Sequence, residues 1–191
     1  IFGSKTKAQE ILLLLHNAKE VVRHGFNEEE LFRVEQYCKK NDLYLVKSNF
    51  KVTFADEDNT AYSNLGMRLP ETDPRPGMHF VYISKDEEKA WLASYFETMG
   101  NHKGLGLLLG YPCCCVDYFC KNFSKQNPNP QHSPTNIYTN LSKRHRDLVL
   151  ISHFPCNSNC EKSILLGKKY MSIIQKCAPE RFKELSEKLK V

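Results

Sequence analysis

The sequence predicts an α+β fold, a helix-rich single domain with a small sheet of three or four strands. Apolar residues recur at helical spacing as Leu12, Leu15, Ala18, Val21 and Val22, and again as Leu31, Val34 and Cys38. Further along, "LYLV", "KVTF" and "MHFVYIS" are short, β-branched or aromatic runs bounded by turn residues, which is how strands read. The chain has 191 residues, 41% of them apolar and 26% charged, enough for one well-packed core and too few for two large domains.

Taken in order, the first helical pattern runs over about 5–24 and stops at Gly25. Asn27 followed by three glutamates is an N-cap with acids that complement the helix dipole, and it opens a second helix, so the two are expected to form a helical hairpin. Strands follow at 43–46, 51–54 and 78–84, with "ADEDNTAYSNLG" and "RLPETDPRPG" between them as acidic loops. A helix capped by Ser84 or Asp86 runs to about Met99, with Trp91, Tyr95 and Met99 on one face as expected core. The glycines of "GNHKGLGLLLGYP" have neither dinucleotide nor phosphate-loop spacing. A helix restarts near Pro112 and reaches about Phe123. "SKQNPNPQHSPTN" reads as a surface loop, "RDLVLISHF" as a strand, and the chain ends in helices over about 158–178 and from Pro179 onward. Residues 1–100 and 101–191 are expected to form two parts of one compact unit.

Charge separates these parts. Residues 1–100 hold 13 basic and 16 acidic side chains, whereas residues 101–191 hold 14 and 6, or −3 against +8. A basic half suits an anionic partner, either RNA or an anionic small molecule, and it also offsets the charge of metal-bound thiolates. Lys103, Lys143, Arg144, His145 and Arg146 are the candidate anion-binding side chains, although no aromatics are interleaved with "SKRHR" to stack single-stranded bases. The longest apolar run, "ILLLL", is far shorter than the ~20 residues of a membrane span. The N-terminal stretch lacks the pattern of a secretory signal, so a cytoplasmic protein is expected.

In that setting eight cysteines point to metal binding or thiol chemistry more than to disulfides. Six of them fall in two motifs, "GYPCCCVDYFC" at 110–120 and "HFPCNSNC" at 153–160, and each motif sits where a helix begins. A helix N-terminus offers partial positive charge and free backbone donors, and both favour thiolates. Cys156 and Cys160 have the separation that lets two thiolates reach one ion. The other pair must come from elsewhere in the fold. Successive helical residues point about 100° apart, so Cys113, Cys114 and Cys115 cannot all face one point, although two can at a bend. His153 is a candidate ligand or a support behind the ligands. Cys38 and Cys177 read as small buried apolar side chains, and Cys120 is placed outside the site.

The two motifs together, "LGYPCCCVDYF" and some forty residues later "HFPCNSNCEKS", resemble an uncharacterised, mainly archaeal prokaryotic family known as domain of unknown function four-eight-three. The resemblance spans roughly residues 100–175. It implies Cys114, Cys115, Cys156 and Cys160 as the metal-binding set, framed by Gly110, Tyr111, Pro112, His153 and Pro155, with Cys113 at a variable position. It implies no activity.

Three functions follow as alternatives. The first is an iron–sulfur-dependent enzyme acting on an anionic, nucleotide or RNA-like substrate. The second is a non-catalytic nucleic-acid or protein-binding module with a structural zinc. The third is a metal-free thiol enzyme in which one of Cys114, Cys115 or Cys156 attacks with His153 as base.

Overall fold

A computed structural model describes residues 1–54, 66–124 and 126–191. Among these, seven α-helices surround one four-stranded antiparallel sheet, the helix-rich α+β domain that the sequence predicts. No helix of the described residues is long and apolar enough to cross a membrane.

The first helix, α1 (Lys5–Leu15), is shorter than its periodicity suggests. Ser4 caps it, and it ends in a Schellman turn. The Ala18 N–H reaches the Leu13 carbonyl at 2.8 Å and the Asn17 N–H reaches Leu14 at 3.1 Å, with Asn17 left-handed at φ 56°. The expected continuation to residue 24 is therefore a turn and then strand β1 (Val21–Phe26), so the predicted helical hairpin is a helix–strand–helix unit. Val22 and Phe26 point to one face of the sheet and Val21 to the other, a period of two that the helical reading missed. The next helix, α2 (Glu28–Lys40), opens with the predicted Asn27 cap, closed into a capping box by Glu30.

Strand β2 (Tyr44–Phe54) joins the two predicted strands into one, and the gap between them is a register shift between Lys47 and Lys51. There the Ser48 hydroxyl donates to the Phe50 carbonyl and accepts from the Phe80 N–H, replacing ladder bonds. Strand β3 (Gly66–Pro70) occupies the start of a segment expected to be a loop. It is an edge strand with one buried side chain, Leu69, too little apolar signal to register in the sequence. The predicted loop at 55–65 lies outside the described residues. Strand β4 (Met78–Ser84) pairs with β1 and β2, giving the order β1-β4-β2-β3.

Helices α1 and α2 cover one face of the sheet, through Ile11, Leu14, Leu31 and Val34 against Val22, Val81 and Ile83. On the other face lie α3 (Glu87–Thr98) and α4 (His102–Leu108). The buried side of α3 is Ala90, Ala93 and Glu97, small side chains that let the helix lie close over Tyr82 and Val46. The expected core residues Trp91, Tyr95 and Met99 consequently face outward, at 59%, 58% and 63% exposure.

The C-terminal half adds α5 (Cys113–Asn122), α6 (Glu161–Cys177) and α7 (Pro179–Lys188). Its core includes Leu13 of α1 together with Leu148, Val149, Leu150 and Ile151. The predicted strand at 146–154 is not one. Four successive residues bury here, and the Gln9 side chain, not a neighbouring strand, donates to the Val149 carbonyl at 3.1 Å. Cys38 is buried as expected, whereas Cys177 is exposed with its sulfur 3.3 Å from His16 Nε2.

The two halves meet around one carboxylate. Glu10 on α1 is 3.1 Å from Lys19 Nζ and 3.1 Å from His24 Nε2 on β1, and it accepts a hydrogen bond from Ser152. Lys19 Nζ also lies over the ring of Tyr111, 5.1 Å from its centroid. Burial opposes both charges, but each stabilises the other enough to hold Glu10 well below the usual carboxylate range and Lys19 above the usual amine range. Glu10→Gln removes the carboxylate and leaves a buried ammonium, so it should cost about 3–5 kcal/mol. Urea denaturation of the variant against wild type checks this, and Lys19→Met in the Glu10→Gln background should recover part of the loss.

Candidate metal centre

The turn before α5 brings the first motif into place. Gly110, left-handed at φ 78°, ends α4 in a Schellman turn. The Tyr111 N–H reaches the Gly106 carbonyl at 3.1 Å and the Gly110 N–H reaches Leu107 at 3.0 Å. Gly106 faces α5 so closely that an added Cβ would sit 2.9 Å from Val116 Cγ2. Pro112 then takes the N-cap position of α5, and Cys113, Cys114 and Cys115 form its first turn. Cys160 takes the same position for α6, so both motifs open helices, as expected.

The four sulfurs of Cys114, Cys115, Cys156 and Cys160 all lie within 4.8 Å of one another. Cys114 and Cys115 are 3.9 Å apart, and Cys160 is 3.8 Å from the first and 3.6 Å from the second. Cys115 and Cys160 are buried, and Cys114 and Cys156 are half-buried. Four thiols at this spacing can hold a metal ion. Cys113 is exposed on the neighbouring face of α5, 3.7 Å from Lys162 Nζ, and Cys120 is exposed farther along the helix.

Polar groups behind the sulfurs orient them. The Cys156 N–H donates to Cys115 Sγ at 3.3 Å, and Ser163 Oγ lies 3.2 Å from the same sulfur. Ser163 Oγ is in turn 2.8 Å from His153 Nε2. His153 therefore supports the set through Ser163 and is not within the cluster itself. Its burial pushes the imidazole down to about 3, so it is neutral. Burial pushes Cys115 up and Cys156 up to about 11. Burial opposes ionisation of Cys160 as well, but hydrogen bonds from the Ser163 side chain and backbone prevail and bring it down to about 7.

The proline-rich loop clasps the second motif. Asn136 Nδ2 and Thr139 Oγ1 donate to the Ser158 carbonyl at 2.9 and 2.6 Å, and Thr135 Oγ1 donates to Asn159 Oδ1 at 2.7 Å. Amides and hydroxyls that look like surface filler in the sequence fix the turn carrying Cys156 and Cys160.

The candidate anion-binding side chains do not converge. Lys103 pairs with Asp117 at 2.8 Å, Lys143 donates to the Lys188 carbonyl, and Arg146 is exposed on the same 3-10 turn as His145. Arg144 turns inward, 5.2 Å from the centroid of the Phe154 ring, and lines a cavity beside the cysteines. Sequence reasoning missed Ser163, Glu10 and Lys19, because a lone serine or an acid and a base on separate elements carry no local signature.

No protein-family model, curated protein or solved structure matches the chain. The site is therefore read from its geometry.

Ser163 bonds the sulfurs of both Cys115 and Cys160 and holds His153 behind them. Ser163→Ala should weaken metal binding about 10–100-fold while leaving the number of ions bound unchanged. A chelator-competition titration measures this directly.

Proposed function

We propose that Cys114, Cys115, Cys156 and Cys160 bind one tetrahedral ion, zinc, and that the domain is a metal-fastened binding module. The spacing of the sulfurs carries this reading. Four ligands at ~2.3 Å from a single ion lie about 3.8 Å apart, which matches the 3.6–3.9 Å separations found between Cys114, Cys115 and Cys160. An iron–sulfur cluster divides its thiolates over two or more irons, at most two to each, and so does not bring three of them this close together. Four thiolates also close the coordination sphere, which is the pattern of structural and not catalytic zinc.

A bound ion supplies a cross-link between the starts of α5 and α6 and cancels part of the thiolate charge. The chain's own groups do the rest. The N-termini of the two helices, the Cys156 N–H and Ser163 stabilise negative sulfur, and the surplus of basic side chains over 101–191 offsets the remaining charge. The thiol-enzyme alternative is less well supported, since His153 is bonded to Ser163 and not to a sulfur. Membership in the uncharacterised four-eight-three family is likewise our proposal, supported by the way its two motifs meet in space. A reducing compartment such as the cytoplasm is the setting this reading requires.

Metal and acid-labile sulfide analysis of protein purified without oxygen, with its visible spectrum, tests the proposal. The expected result is a colourless protein with one zinc per chain and no sulfide. Iron with matching sulfide, or no metal, would overturn it. Cys160→Ser should abolish binding and lower the melting temperature, whereas Cys38→Ser should leave the metal in place.

A further inference from the structure

One face of α3 has no partner among the described residues. The buried side chains of this helix are Ala90, Ala93 and Glu97, and at 100° per residue Trp91, Leu92, Tyr95 and Met99 fall on the side directly opposite. Their exposures are 59%, 41%, 58% and 58–63% in the order Trp91, Leu92, Tyr95 and, at 63%, Met99. Single apolar side chains scattered over a surface are ordinary, but these four are contiguous, because residues three and four apart are neighbours on a helix. Together they leave on the order of 500 Å² of mainly apolar surface open, near the top of what the largest patch on a monomer carries.

The helix is not free to turn this face inward. Ala90 and Ala93 bring it close over the sheet, and Glu97 is held by Arg23 and Arg68. The composition of the outer face is that of an interface centre, where Trp, Tyr and Met are enriched and Lys and Glu are depleted. No charged residue interrupts the stretch from Ala90 to Phe96.

The charges at the two ends of the patch favour a second copy of the chain as its occupant. Glu87 and Glu88 stand in the first turn of α3, and neither is in an ion pair among the described residues. Past the other end no acid stands between Glu97 and Asp117, whereas His102 and Lys103 do. Lys103 pairs with Asp117, but both groups are exposed and the ammonium has three donors to share. Two α3 helices packed antiparallel set the acidic start of each beside the basic end of the other, and their dipoles oppose as well. A parallel pair would set Glu87 and Glu88 against their own copies.

We propose that the protein forms a two-fold dimer through the outer face of α3, with the helices antiparallel and Tyr95 at the centre. Trp91 and Met99 lie four residues to either side of Tyr95, so each Trp91 meets Met99 of the other copy in a sulfur–aromatic contact. The patch is thus self-complementary, as a two-fold interface requires. Two copies of it remove about 1,000 Å² from water, the lower bound for a specific interface, and the polar rim adds to that. A dimer of this size separates on dilution. Helix α3 carries none of the four clustered cysteines, so the dimer is independent of which ion they hold.

The test is sedimentation velocity of the full chain as purified, over a range of concentrations, with the emission of Trp91 recorded on the same samples. A phosphine reductant keeps the exposed Cys113, Cys120 and Cys177 from linking copies. The chain has one tryptophan, so its spectrum reports this face and no other. The expected result is a dimer with blue-shifted emission that dissociates on dilution while the emission moves to the red. Tyr95→Glu brings two carboxylates together and should weaken the dimer about ten-fold or more, with metal content and circular dichroism unchanged. Met99→Glu should act in the same direction and serves where Tyr95→Glu fails to fold. A chain that is monomeric at every concentration would overturn the proposal. Red emission would then leave the face to a different protein, and blue emission would mean that the chain covers it itself. A dimer that forms without a change in Trp91 emission, or that persists in the folded variants, would overturn it too. The metal is counted separately, and none of these outcomes bears on it.

Discussion

The structure depends on a buried carboxylate. Glu10 belongs to the first helix, yet its partners come from the turn after that helix, the edge strand and the C-terminal half, as Lys19, His24 and Ser152. A carboxylate that is 3% exposed must be paired closely or it unfolds its surroundings, so these segments have few alternative arrangements. Replacing such a pair with apolar side chains often stabilises a protein, so retaining one suggests a use beyond stability. Here it sets the relative position of the two halves, and with it the shape of the cavity between them.

From Lys19 the arrangement continues to the cysteines by direct contacts. Lys19 lies over Tyr111, Tyr111 packs on His153 with centroids 5.0 Å apart, His153 meets Ser163, and Ser163 meets Cys115. The sequence groups Tyr111 with Cys114 and Cys115, and His153 with Cys156 and Cys160, and this ring contact is where the two groups join. The four sulfurs thus sit at one end of a polar chain whose other end is the charge pair that locks the halves. Ordering at either end restrains the same side chains, and apolar packing around Phe119 and Phe154 keeps water from replacing them.

Local chemistry was legible in the sequence wherever one residue decides it. Asn27 and Glu30 announced α2, Pro112 announced α5, and the motifs showed Cys156 and Cys160 as a pair, whereas only the family resemblance singled out Cys114 and Cys115 from the three adjacent cysteines. What escaped were features decided at long range. Val21 and Val22 fit a helical stripe as well as a strand, and the stop that mattered was Asn17 in a left-handed turn, not Gly25. The segment around Val149 has the composition of a strand, but a strand needs a partner, and this segment has the Gln9 side chain instead. Trp91, Tyr95 and Met99 share a helical face, but periodicity cannot tell which face turns inward when the other carries alanines small enough to approach a sheet. Glu10, Lys19 and Ser163 look like ordinary surface residues until the fold surrounds them.

Charge separation between the halves takes on a physical meaning in the folded chain. If the four sulfurs of the C-terminal half hold a metal ion, as proposed above, they do so as thiolates with net negative charge, and nearby basic side chains are then favourable whatever else they bind. Most of them spend their charge on the surface or on chain ends, as Lys103 does with Asp117 and Lys143 with the Lys188 carbonyl. Arg144 differs because Phe154 holds it inward, against the acidic half.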